Sequence, residues 1–135
     1  MNRRQFVLSA SALSLLPLTA QAGSFTTYKP GMIEAALKAG DTVFVDFAAK
    51  WCSTCARQER VINALRSENP AYDKAMTFVK VDWDEFQGHS VVTSRNIPRR
   101  STLLVLRGNQ ELGRIVAGTS QSDIKRLMDV GLAQS

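Results

Sequence analysis

The side chains best suited to chemistry are the thiols of Cys52 and Cys55, set two residues apart in Ala49-Lys-Trp-Cys-Ser-Thr-Cys-Ala-Arg-Gln58. They are the only cysteines in the chain. Three kinds of chemistry use such a pair. A structural zinc site takes four ligands, and beyond the two thiols the chain offers only the single histidine His89, which disfavours zinc. A purely structural disulfide would close so short a loop that it constrains little of the unfolded chain. Thiol–disulfide exchange needs a reactive thiolate and a second thiol within one helical turn, and this spacing provides both. The redox reading is favoured.

Position along the chain assigns the roles. Cys52 is expected at the first position of a helix, where backbone N–H groups lack partners and the helix dipole favours negative charge. Its thiolate is then stabilised below the ~8.5 of a free cysteine. Cys55 lies one turn further in and more shielded, so Cys52 attacks and is the accessible thiol, while Cys55 resolves. Lys50, Arg57 and Arg60 either add positive charge around the pair or are solvated helix-surface residues. His89, following Gly88, reads as a helix-start or surface residue and is assigned no role.

The elements that must hold this pair are legible in outline. Thr42–Ala48 (TVFVDFA) is a β-branched and aromatic run, apolar except for Asp46, as expected of a central strand covered on both faces. Met76–Asp82 (MTFVKVD) is a second such strand, with Lys80 as its odd residue. A short strand is expected at residues 24–28, a helix from Pro30 to Gly40, the cysteine helix to about Ser67, and a short helix over residues 88–96. Residues 102–107 and 112–118 read as strands joined by Gly108-Asn109-Gln110, and Ser120-x-x-Asp123 opens a last helix. Strands alternating with helices, closed by a hairpin and a helix, predict an α/β fold: a mixed central sheet with helices on both faces.

The chain has 135 residues, 44% hydrophobic and 21% charged, enough for one domain with a real core. Its first 22 residues stand apart. A basic start, an apolar run too short to span a bilayer and the small residues Ala20-Gln21-Ala22 predict a signal peptide cleaved after Ala22, leaving residues 23–135 as the domain. Arg3-Arg4-Gln5-Phe6-Val7 resembles a twin-arginine export motif, with an ordinary secretory signal as the alternative. Cleavage removes two of seventeen basic residues and none of twelve acidic ones, so the net charge falls from +5 to +3. That mild excess, with no basic run interleaved with aromatics, gives nucleic-acid binding little support. The mature chain is expected to be periplasmic and not embedded in the membrane.

The segment VFVDFAAKWCSTCARQ resembles the active-site segment of the thioredoxin family: a buried strand carrying an acid, then Ala-x-Trp-Cys-x-x-Cys, then a helix. The similarity runs on through Phe78–Asp82 and Thr102–Leu106 to Gly118, and FAAKWCSTCARQER is most similar to periplasmic reductase domains of the DsbD type. The resemblance implies the thioredoxin fold and a thiol–disulfide oxidoreductase whose carrier is a redox-active Cys52–Cys55 disulfide, with no metal and no other cofactor. It implies that Asp46, six residues before Cys52, is the buried acid that moves the proton of the resolving thiol. It places Lys80 near that acid and Trp51 at the rim of the site. Protein disulfides and dithiols are the implied partners, with a membrane reductase of the DsbD type as the implied electron donor. Thr54, where oxidants of the family often carry a histidine, favours a reductant; a disulfide oxidase or isomerase, or a redox-inert binding module, are the alternatives.

Two positions depart from the family pattern. Arg60 stands where the helix usually has a kinking proline, so a straighter helix is expected. Ser101 stands where a cis-proline usually precedes the strand's Thr, and Pro98 comes three residues too early. A trans Arg100–Ser101 bond is expected, with the Ser101 hydroxyl and N–H both able to reach toward the dithiol. Trp51, Arg100 and Ser101 are the candidate substrate-binding residues.

Overall fold

The strand Thr42–Ala48 lies at the centre of the sheet because it is apolar on both faces, and a strand is stable there only if helices cover both. The structure, a computed structural model, describes residues 24–134; the expected signal peptide and its cleavage site lie outside them. In chain order the elements are β1 (Thr26–Thr27), α1 (Met32–Lys38), β2 (Thr42–Ala48), α2 (Ser53–Glu68), α3 (Ala71–Ala75), β3 (Met76–Asp82), α4 (Trp83–Phe86), α5 (Ser90–Thr93), β4 (Thr102–Arg107), β5 (Gln110–Val116) and α6 (Gln121–Leu132). The sheet runs β1-β3-β2-β4-β5, with β1, β3 and β2 parallel and β4 and β5 antiparallel to their neighbours. This is the mixed sheet expected from the alternation.

Alternate residues of β2 feed two cores. Val43, Val45 and Phe47 pack with Ile33 of α1, Phe86 of α4 and Val91 and Val92 of α5. Phe44 faces the other side and packs with Ile62 and Leu65 of α2, Tyr72 of α3, and Ile124, Leu127 and Met128 of α6. Burying each such side chain is worth roughly 1.5–3 kcal/mol, so the two faces together hold β2 in one register. By the same alternation Asp46 falls on the α2 face.

Several boundaries differ from expectation, each for a local reason. The expected strand over residues 24–28 contracts to Thr26–Thr27, which pair only with Val79 and Lys80. The hairpin turn is two residues long: Arg107 pairs with Gln110, so β5 begins at Gln110, and Gly108 takes φ +58°. Leu112 is the extra residue where the register slips between Val105 and Leu106. The helix expected over residues 88–96 forms only at Ser90–Thr93, and two unanticipated short helices precede it, one capped by the Asp82 carboxylate accepting from the Asp84 N–H at 3.0 Å. The last helix opens as expected, with Ser120 Oγ accepting from the Asp123 N–H at 3.1 Å. The cysteine helix α2 runs its sixteen residues as one α-helix. Among the described residues, no helix is long and apolar enough to cross a membrane.

Candidate active site

The C-terminal end of β2 delivers the chain into α2, and the two cysteines occupy the junction. Cys52 is the cap of α2 and not its first helical residue: its backbone is extended, and its sulfur accepts from the Cys55 N–H at 3.2 Å. The thiolate thus takes up one of the helix's unpaired donors directly. Cys55 sits in the first turn, and both cysteines carry free thiols. Cys52 does not stand out further than Cys55, contrary to expectation: each is 3% exposed. The loop at Arg100 and Ser101 lies against both, and the Ser101 hydroxyl is 3.2 Å from the Cys52 sulfur and 3.1 Å from that of Cys55.

The two thiols are electrostatically unequal. Burial pushes the Cys52 thiol up, but hydrogen bonds from the Cys55 thiol, the Ser101 hydroxyl, the Cys55 N–H and the Arg100 guanidinium overcome it and bring the pKa from 9.0 down to about 7. Burial also pushes Cys55 up, and there the bond to Cys52 adds to the rise. One sulfur is prepared to be a thiolate and the other to remain a thiol.

Asp46 is fully buried, and neither of its carboxylate oxygens has a hydrogen-bond partner. Burial lifts its pKa from 3.8 to about 7; Lys80 opposes the rise, and Glu59 and Cys52 support it. Lys80 is the register partner of Asp46 across β2 and β3, but its ammonium is engaged elsewhere, in a 2.6 Å ion pair with Glu59. Glu59 and Lys80 line a cavity of about 470 Å³ that reaches Ala49, Cys52 and Cys55. Trp51 is 62% exposed, donates its indole N–H to Asp84 at 2.9 Å, and is covered on one face by the Arg100 guanidinium, 4.3 Å from the ring centre. Arg100 and Trp51 thus form one rim of the dithiol.

Ser101 is held more tightly than expected. Every peptide bond among the described residues is trans, that of Arg100–Ser101 included. The Ser101 N–H is not directed at the dithiol: it donates to the Phe47 carbonyl of β2 at 2.7 Å. Its carbonyl accepts from the Ala117 N–H and from Gln58 Nε2, each at 2.9 Å. These three bonds tie Ser101 to β2, to the segment after β5 and to α2, and hold it at φ +66°, a conformation that costs a non-glycine residue free energy. Only the hydroxyl reaches the sulfurs.

Glu59 and Gln58 escaped the sequence reading. A signal existed for both, since they lie three and four residues after Cys55 and so share its face of α2. Gln58 is fully buried on the stripe Cys55–Gln58–Ile62–Leu65 and also donates to the Gly118 carbonyl at 2.9 Å. Among the described residues, no three of His, Cys, Asp or Glu gather where a metal ion could be held.

Comparison with known proteins bears on the same residues. A family profile described as Thioredoxin matches residues 26–130. A thioredoxin of Echinococcus granulosus is 31% identical over 96 residues, spanning 71% of this chain and 83% of the relative. Among solved structures, Trxlp from Edwardsiella tarda superposes with a TM-score of 0.67 at 30% identity, covering 77% of this chain and 98% of that one. The thioredoxin of Malassezia sympodialis gives 0.66 at 26% identity, covering 82% and 92%.

Proposed function

The chain belongs to the thioredoxin family, whose members are thiol–disulfide oxidoreductases, and from that premise we propose that it is an exported reductase of protein disulfides working through Cys52 and Cys55. The observation that carries this reading is the inequality of the two thiols around one hydroxyl, with Cys52 lowered to about 7 and Cys55 raised. The Cys52 thiolate attacks one sulfur of a substrate disulfide, forming a mixed disulfide and expelling the first substrate thiolate, which takes a proton from solvent. Cys55 then loses its proton to the Asp46 carboxylate and attacks the Cys52 sulfur. The Cys52–Cys55 bond forms, the second substrate thiol leaves, and two electrons have passed from the dithiol to the substrate. The pair is its own redox carrier, with no metal or further cofactor in the cycle.

The level of Cys52 supports a reductase over a strong oxidant, because oxidants of this fold hold the attacking thiol several units lower, near ~3.5 against ~7 for thioredoxin. Trp51 and Arg100 form the rim that a protein substrate meets. Return of electrons from a membrane reductase of the DsbD type, and a periplasmic location, belong to the same proposal and rest on the character of residues 1–22 and of the active-site segment.

The test is reduction of a protein disulfide by the purified chain with an external dithiol as electron source. Turnover is expected for the wild type and none for Cys52→Ser, while Cys55→Ala should accumulate the mixed disulfide. Absence of wild-type turnover on several protein disulfides would sink the reductase reading. Mass measurement of the protein recovered from a periplasmic fraction checks cleavage after Ala22; an uncleaved chain in the cytoplasm would sink the export.

A further inference from the structure

Among the described residues, Ser101 is the one whose side chain lies within hydrogen-bond distance of both reacting sulfurs, and its own backbone leaves that side chain nothing else to do. The residue is fully buried, its N–H is used by Phe47, and its carbonyl is used by Ala117 and Gln58. The hydroxyl oxygen is then left between the two sulfurs, 3.2 Å from one and 3.1 Å from the other. A hydroxyl has one hydrogen to donate and two lone pairs to accept with. It can serve only one sulfur as donor at a time.

We propose that the Ser101 hydroxyl is a catalytic group of the exchange reaction: a single donor shared by Cys52 and Cys55 that follows the negative charge from one to the other. The proposal rests on the reading of the pair as redox-active. In the reduced protein the Cys52 thiolate accepts from both the Cys55 thiol and the Ser101 hydroxyl. Attack on a disulfide converts Cys52 to a neutral sulfur of the mixed disulfide, which no longer competes for the hydrogen. The hydroxyl turns about its Cβ–Oγ bond and donates to Cys55 as that sulfur gives its proton to Asp46. Cys55 attacks the Cys52 sulfur, the mixed disulfide breaks, and the electron pair leaves on the substrate's second sulfur. No heavy atom moves in the turn, so the donor is in place for both steps without reorganisation. The left-handed backbone at Ser101 fits such a role, because strain at a reacting centre persists only where several surrounding bonds impose it, and here three do.

A small aromatic disulfide whose thiolate absorbs on release separates the two steps. The first release depends on reagent concentration and reports attack by Cys52; the second does not and reports resolution by Cys55. Ser101→Gly suits the φ of +66° and removes only the hydroxymethyl group, and Ser101→Ala keeps the β-carbon. Each variant should slow both phases about tenfold near pH 7 and move the pH midpoint of each up by about one unit, the effect expected of losing one hydrogen bond to an ion. Near-native rates should return at high pH, which loss of structure would not give. Unchanged midpoints in both phases would overturn the proposal. A shift in one phase only would overturn it too, since a shared donor must serve both sulfurs. Because the probe is small, a wild type that shows both phases but reduces no protein disulfide would defeat the substrate reading while leaving this result intact.

Discussion

Asp46 and Cys52 share a pKa of about 7 for opposite reasons: the carboxyl is raised by burial without a partner, and the thiol is lowered by donors that overcome its burial. A base and a nucleophile that titrate together are matched to neutral pH, where each is present in its active form and can still exchange a proton. Asp46→Asn should therefore slow release of the mixed disulfide by roughly tenfold or more, with a smaller effect on its formation, because only the second step removes the Cys55 proton. Rapid mixing with a model disulfide resolves the two; equal slowing of both would defeat the assignment. The Lys80–Glu59 ion pair places one charge of each sign beside this carboxyl, and their effects on it oppose one another.

At the scale of the element, α2 does more than present the cysteines. Gln58, fully buried one turn past Cys55, donates to the carbonyls of Ser101 and Gly118, so the helix that carries the dithiol also holds the loop that faces it. Its own Oε1 has no partner, which offsets part of the gain. Gln58→Leu keeps the volume and withdraws the donor from both carbonyls. It should cost about 1–2 kcal/mol of stability, read from the denaturant midpoint, and slow attack by Cys52 as Ser101 loses its anchor. A variant as stable and as fast as the wild type would show that the backbone bonds alone hold the loop.

For the whole molecule, the buried carboxyl ties stability to pH. The Asp46 pKa is raised from 3.8 to about 7, so between those values the folded chain binds the proton more than the unfolded chain does. Stability must then fall as pH rises through that window. Asp46→Asn removes the titration. In the oxidised protein it should change stability little near pH 4 and increase it by roughly 2–4 kcal/mol near pH 8, at about 1.4 kcal/mol per pKa unit. Chemical denaturation at the two pH values checks it; an equal effect at both would mean that Asp46 does not carry the shift. The oxidised form is the right one to use, because the lowered Cys52 thiol adds a slope of the opposite sign between 7 and 9 in the reduced protein.

The sequence by itself determined the parts of this protein that depend on local pattern. The apolar run of β2 with its single acid, the alternation of strands and helices, and two cysteines at a strand-to-helix junction each follow from side-chain period and backbone preference within about a dozen residues. Tertiary structure decided what depends on residues distant in the chain. That the Ser101 hydroxyl meets both sulfurs follows from β4 pairing beside β2, which hydrogen-bonds the Ser101 N–H to the Phe47 carbonyl. That Lys80 pairs with Glu59 and leaves Asp46 without a partner follows from how α2 packs over β3, and no spacing within either segment encodes it. Cys52 is as buried as Cys55 for the same reason: exposure is set by what the rest of the chain lays across a residue, and a motif read along the sequence contains only the residue itself.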